Sequence, residues 1–140
     1  ERAGQGKQVY VCDANGKGRE MKVLIIEDNE KNMKLFNKII TSLAYETLTA
    51  MNGEEGIAIA KKAYPDLILM DIQLPVMDGI TALNILRSDE KTKNIPVIAL
   101  TSYAMAGDRE KFLGLGFSDY ISKPIDVNKF SDVIKSILGK

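Results

Sequence analysis

At 140 residues, with 19 Lys+Arg against 19 Asp+Glu, the chain has room for one compact domain and carries no excess charge. That balance disfavours direct nucleic-acid binding, and no apolar run approaches the ~20 residues that cross a bilayer. The single Cys12 cannot form an internal disulfide and the first 20 residues lack a signal-peptide core, so a cytoplasmic home is expected; with no histidine anywhere, chemistry falls to carboxylates, hydroxyls and lysine.

In chain order, residues 1–20 read as a leader or linker of uncertain order. Gln8-Val9-Tyr10-Val11-Cys12 suits a strand, Asp13-Ala14-Asn15-Gly16 a turn, and Gly16-Lys17-Gly18-Arg19 a linker. From Met21 to Lys140 short apolar runs alternate with helical periodicity. Val23–Ile26 is the first strand, and Phe36, Ile39, Ile40 and Leu43 mark one buried stripe of the helix that follows. Glu46–Ala50 is a weaker strand. A second helix starts near Asn52-Gly53 and packs Ile59, Ala60 and Ala63. Leu67–Met70 and Ile95–Leu100 are continuously apolar strands, with a helix from about Gly79 to Arg87 between them. A helix over Gly107 to Leu115, the short strand Tyr120-Ile121, and a last helix carrying Phe130, Val133, Ile134 and Ile137 complete the chain. Strands with no in/out alternation are covered on both faces, so the pattern predicts a doubly wound α/β domain on a parallel sheet, with five strand–helix repeats.

The polar residues fall where such a sheet binds ligands. Glu27-Asp28, Asp71 and Thr101-Ser102 each follow an apolar strand directly, and Lys123-Pro124 follows the last. Strand C-termini share one edge of a parallel sheet, so these groups converge. Each has an ordinary reading as a helix cap, a turn or surface, but the four together solve one charge problem. Two negative charges ~4 Å apart repel by roughly 4 kcal/mol at an effective dielectric of ~20. Glu27, Asp28 and Asp71 supply three such charges and Lys123 offsets one, leaving an excess that a divalent ion would balance. All-oxygen ligands shared with a phosphate suit Mg²⁺, with Mn²⁺ as substitute. A carboxylate between a metal, a lysine and a hydroxyl is equipped to attack phosphorus.

The stretches Ile25-Ile26-Glu27-Asp28-Asn29, Pro65 through Asp71 to Pro75-Val76-Met77-Asp78-Gly79, Ile95 through Thr101-Ser102, and Asp119-Tyr120-Ile121-Ser122-Lys123-Pro124 together resemble the response-regulator receiver family of two-component signalling over residues 21–140. The resemblance implies a flavodoxin-like five-stranded sheet of order 2-1-3-4-5 with five helices. It makes Asp71 the phosphoacceptor, Glu27, Asp28, Asp71 and the backbone carbonyl of Gln73 the metal ligands, Thr101 the switch hydroxyl and Tyr120 the switch aromatic. Lys123 is the phosphate-facing cation, and the Lys123–Pro124 bond is cis. It implies a signalling switch rather than a conventional enzyme. The donor is a histidine kinase or histidine phosphotransfer protein, since the chain has no histidine of its own, and the output is contact with a protein target. The first helix, near Lys31, Lys34 and Asn37, would face the kinase. The surfaces over 104–112 and 120–130 would face the target, no output domain being expected after Lys140.

Asn32-Met33-Lys34-Leu35-Phe36 and the run from Ser102 to Phe112 are similar both to stand-alone regulators of the DivK type and to receivers of hybrid histidine kinases. Tyr103 is expected to shield the acyl phosphate from water, and Gly79 to adopt a backbone conformation closed to other residues. Three alternatives remain in view. A haloacid-dehalogenase-type phosphatase would need an acid two positions after the nucleophile, where Gln73 stands; a flavin-binding flavodoxin would need a phosphate loop after the first strand; a pseudo-receiver would only bind.

Overall fold

The computed structural model describes residues 10–12, 18–102 and 108–138. The hairpin comes first: β1 (Tyr10–Cys12) pairs antiparallel with β2 (Gly18–Glu20), so Gly18 and Arg19 lie on a strand rather than in the linker the sequence suggests. The turn expected over 13–16 lies outside the described residues.

Met21 leads into the alternating part: β3 (Lys22–Ile26), α1 (Glu30–Ser42), β4 (Glu46–Ala50), α2 (Gly53–Ala63), β5 (Leu67–Asp71), α3 (Gly79–Ser88), β6 (Val97–Thr101), α4 (Asp108–Leu115), β7 (Asp119–Ser122) and α5 (Val127–Leu138). The five strands β3 to β7 form one parallel sheet in the order β4-β3-β5-β6-β7, which is 2-1-3-4-5 in chain order, as expected.

Two-residue alternation divides the strand side chains between two cores. Leu24, Ile26, Ile68, Met70, Val97 and Ala99 join residues of α2 and α3 and Phe112 of α4. Val23, Ile25, Leu67, Leu69, Ile98 and Leu100 join α1 and α5, whose Phe36 and Phe130 stack at 5.5 Å. Both faces are covered, which is why the strands read as unbroken apolar runs.

The caps follow from sequence. Asn29, Asn52 and Asp78 each accept the N–H three residues on, at Asn32, Glu55 and Thr81, and so start α1, α2 and α3. The buried stripe of α2 runs through Gly53, Gly56, Ile57 and Ala60; of the expected Ile59, Ala60 and Ala63, Ala60 lies on it and half-buried Ile59 packs against the same core, while Ala63 is half-buried. Helical periodicity weighs large side chains, but here a glycine makes the contact. A Cβ on Gly56 would run into the side chain of Ile26, so α2 lies on β3 through its backbone.

The α1 C-terminus closes on Ala44 at φ 71°, with Ala44 N–H on the Thr41 carbonyl and Tyr45 N–H on that of Ile40. A residue with a Cβ is disfavoured there by roughly 1–2 kcal/mol. Ala44→Gly should therefore stabilise the protein by about 0.5–1 kcal/mol, read as a higher urea midpoint at unchanged slope, part of the gain being offset by the freer unfolded chain.

Candidate functional site

The switch in strand order lies between β3 and β5, from which successive strands are added in opposite directions; beyond the strand C-termini at such a switch is where open parallel sheets bind ligands. Ile26 pairs with Met70 across these strands, so the next residues, Glu27 and Asp71, come out side by side. Asp71 pairs in turn with Leu100, and Thr101 with Ser122, one residue before Lys123. Register alone thus collects the four sequence groups at one edge.

Side chains complete the arrangement. Lys123 Nζ lies 2.9 Å from Glu27 Oε1 and 3.0 Å from Asp71 Oδ2, bridging residues 96 and 52 positions away. The Asn29 backbone N–H donates to Glu27 Oε2 (3.2 Å), and that of Gln73 to Asp71 Oδ1 (2.9 Å). Glu27 is fully buried, Asp71 and Thr101 nearly so, and Asp28 is exposed. Carboxylate oxygens of Glu27, Asp28 and Asp71 all come within 4.8 Å of one another. With the Lys123 ammonium as the cation in direct contact, the cluster keeps a negative excess, and its oxygen-only donors suit a hard divalent ion. The Lys123 backbone N–H donates to the Thr101 carbonyl (2.7 Å), and the Lys123–Pro124 peptide is cis.

The electrostatics oppose one another. Burial raises the pKa of Glu27 above its ordinary 4.5; the Lys123 hydrogen bond lowers it again and the Asp71 charge raises it, with a net upward result. For Lys123 burial acts against the charge, but the hydrogen bonds to Glu27 and Asp71 outweigh it and its pKa rises. The ammonium therefore remains charged at neutral pH.

Gly79 corrects one expectation. Its backbone is not in the left-handed region; the constraint is space, because a Cβ would sit 2.5 Å from the Asp71 carbonyl oxygen and 2.9 Å from Ile72 Cα. Gly79 N–H donates to the Ile72 carbonyl, so the start of α3 rests directly on the backbone that carries the carboxylate. The positive φ in this loop belongs to Val76 (φ 68°), whose side chain is 96% exposed. Tyr120 is half-buried with its ring 5.6 Å from Phe112, on the side of the sheet that faces α4. Tyr103 lies outside the described residues. The sequence reading did not single out Asn29, which both caps α1 and holds Glu27; an Asn opening a helical stripe is the signal for it.

With this geometry in place, comparison with known proteins is decisive. Residues 23–135 match the family model of the response regulator receiver domain. The chain belongs to the response-regulator receiver family. It is 50% identical over 117 residues to the polar-differentiation response regulator DivK of Brucella ovis, a match spanning 84% of this chain and 95% of that protein. Among solved structures, the receiver domain of a Pseudomonas aeruginosa sensor histidine kinase, with magnesium ion coordinated in its active site cleft, is 33% identical. It superposes with a TM-score of 0.78, covering 86% of this chain and 98% of that one. A Borrelia burgdorferi CheX–CheY–BeF3–Mg complex matches at 33% identity and TM-score 0.78, over 88% and 92% of the two chains. This receiver is thus a phosphoacceptor domain of two-component signalling, a switch rather than a conventional enzyme, and its acidic cluster stands where such domains have their active site. No helix among the described residues is long and apolar enough to cross a membrane.

Two outcomes test the geometry. Because the folded pKa of Glu27 lies above 4.5, the stability its protonation contributes is fully present below that pH and lost as pH rises through the folded value. In chelator, Glu27→Gln should then gain stability relative to wild type as pH rises from 4.5 to 7, read as the difference between their thermal melts at the two pH values. Gly79→Ala should destabilise by about 1–3 kcal/mol, and the folded fraction should accept phosphate more slowly from a small donor.

Proposed function

We propose that Asp71 is the acceptor atom's carrier and that the receiver takes a phosphoryl group from a phosphohistidine donor. The observation that carries this is the contact of Lys123 Nζ with both Glu27 and Asp71 inside a cluster of three carboxylates. An Asp71 carboxylate oxygen attacks phosphorus, the P–N bond of the donor breaks, and the leaving imidazole takes a proton from solvent. Gln73 N–H and Lys123 each hold one oxygen of Asp71 and so fix the orientation of its carboxylate. Lys123 then neutralises charge on the phosphoryl oxygens, and the Thr101 hydroxyl donates to one of them.

Glu27, Asp28, Asp71 and the carbonyl of Gln73 would hold Mg²⁺, with Mn²⁺ as substitute; bound there, the ion offsets the negative charge of both the acceptor and the incoming phosphate. Glu27 is fully buried and engaged by Lys123 and Asn29, whereas Asp28 is exposed, so Asp28 would be the carboxylate most accessible to an ion arriving from solvent.

Thr101 and Tyr120 share the α4 face of the sheet by strand parity, since Tyr120 pairs with Ala99, two residues before Thr101. Movement of Thr101 towards the phosphate would release space into which Tyr120 turns. The output face is the groove between α4 and α5, about 310 Å³, with Arg109, Asp119, Tyr120, Ser122, Asp126 and Lys129 among its lining residues. The donor, a histidine kinase or histidine phosphotransfer protein, meets the α1 surface, where Lys34, Asn37, Lys38, Thr41 and Ser42 line a shallow groove. Residues 21–140 are the receiver proper, 1–20 a leader or linker, and the cytoplasm its compartment.

Incubation with acetyl phosphate should add one phosphoryl group by intact mass only when Mg²⁺ is present. Asp71→Asn should show no gain, Lys123→Met should slow labelling about 100-fold, and Thr101→Ala should still be labelled. An unlabelled wild type, beside a labelled control receiver, would leave a binding-only role.

A further inference from the structure

α4 is held unlike its neighbours. Among the described residues of α4 Phe112 alone is buried, whereas α1, α2 and α3 each bury four residues and α5 two. At its start Arg109 reaches Asp119 at 3.4 Å, an ion pair with the arginine more than half exposed, a kind that contributes ~0–1 kcal/mol. Its end is fastened differently. Arg87, on the last turn of α3, places its guanidinium among main-chain carbonyls: Nε and one terminal nitrogen donate to Gly116 O at 3.3 and 3.0 Å. The other terminal nitrogen donates to Ile95 O at 2.7 Å and Lys93 O at 3.1 Å. One planar fork thus ties the turn after α4 to the segment that enters β6.

That turn is itself a defined joint. Gly116 has φ 113°, its N–H donates to the Leu113 carbonyl, and Phe117 N–H donates to that of Phe112, the paired bonds of a Schellman closure. The apolar contact that accompanies this closure is present, with the Phe112 and Phe117 rings edge to face at 5.8 Å. Tyr120 packs on the other side of Phe112. The order of contact is therefore Arg87, Gly116, Phe117, Phe112, Tyr120.

We infer that Arg87 is a positioning residue of the switch: by clamping the Gly116 carbonyl it fixes the C-terminal end of α4 as a pivot, so that a change at Asp71 is expressed at the opposite end of the helix and at Tyr120. The inference rests on Tyr120 being the aromatic that responds to the phosphorylated site. Without the clamp the whole of α4 follows the aromatic cluster, and the output face no longer has one defined active arrangement. Arg87 touches neither acceptor nor donor, so the chemistry of phosphorylation is left to Asp71 and its neighbours.

The test is hydrogen exchange read by mass spectrometry on the full chain, in Mg²⁺ alone and in Mg²⁺ with beryllofluoride as acyl-phosphate mimic, for wild type and Arg87→Met. In wild type the mimic should alter exchange over 119–122 and the first turn of α4, and leave the Gly116 and Phe117 amides unchanged. In Arg87→Met those two amides should exchange about tenfold faster and become sensitive to the mimic, while acetyl phosphate still adds one phosphoryl group. Uniformly faster exchange in every segment, with an unchanged response to the mimic, would reduce Arg87 to a stability role and overturn the inference. So would no change at 116–117. A wild type that is labelled on Asp71 yet shows no response over 119–122 would overturn the Tyr120 reading and the pivot with it, an outcome visible without any variant. Should Arg87→Met fail to fold, Arg87→Lys carries the comparison, because it keeps the charge but cannot span Gly116 and Ile95 together; its 116–117 amides should exchange faster than those of wild type and respond to the mimic, and identity with wild type refutes the clamp.

Discussion

Like-charge crowding at the C-terminal edge of the sheet is the constraint on which the rest of this receiver depends. Three carboxylates with oxygens inside 4.8 Å of one another are unfavourable in any medium, and more so beside a core that shuts out water. The protein tolerates them by directing one ammonium at the two most buried and by giving each of those a backbone N–H. The remainder of the repulsion is left uncompensated, and it draws in a cation and then the cation's phosphate. Function here is a stability deficit kept at one place, as expected where active sites are built from groups that would rather be apart.

The scaffold that holds the deficit is correspondingly conservative. Helices cover both faces of the sheet, the α1–α5 side closing over the stacked Phe36 and Phe130. The opposite side divides its labour: α2 and α3 lie close against the strands, and α4 is attached through Phe112 and at its two ends. Rigidity and freedom are assigned to different helices of the same layer. A domain whose core is packed at crystal-like density can move only where that packing is thin.

Much of this was legible in the sequence because the signals are strong and local. Apolar runs without alternation announce the parallel sheet, and the polar residues at their ends converge on one edge as that topology requires. Glu27, Asp71, Thr101 and Lys123 are all where that reasoning puts them. What escaped it depends on distances between elements. Gly79 looked like a conformational glycine but is a spacing glycine, since only the approach of α3 to the Asp71 carbonyl decides the matter. The α2 stripe was legible only in part: Ile59 and Ala60 do pack on the core, but Gly56 contributes a contact that hydrophobic periodicity cannot score. Gly18 and Arg19 read as linker, since nothing in a Gly-Lys-Gly-Arg run announces a partner strand. Arg87 is one more basic residue near a helix end until the fold brings Gly116 and Ile95 to it.

Every residue of β5 from Leu67 to Asp71 is buried, and this strand lies in the middle of the sheet. The Asp71 carboxylate is thus the last link of the segment least able to yield. Its position should not drift under moderate perturbation elsewhere; it is kept while the fold is kept and lost when the fold is lost. Substitutions on the exposed face of α4 fall at a distance from that strand, so the outer surface of the domain can change in sequence while the position of Asp71 is held by the core.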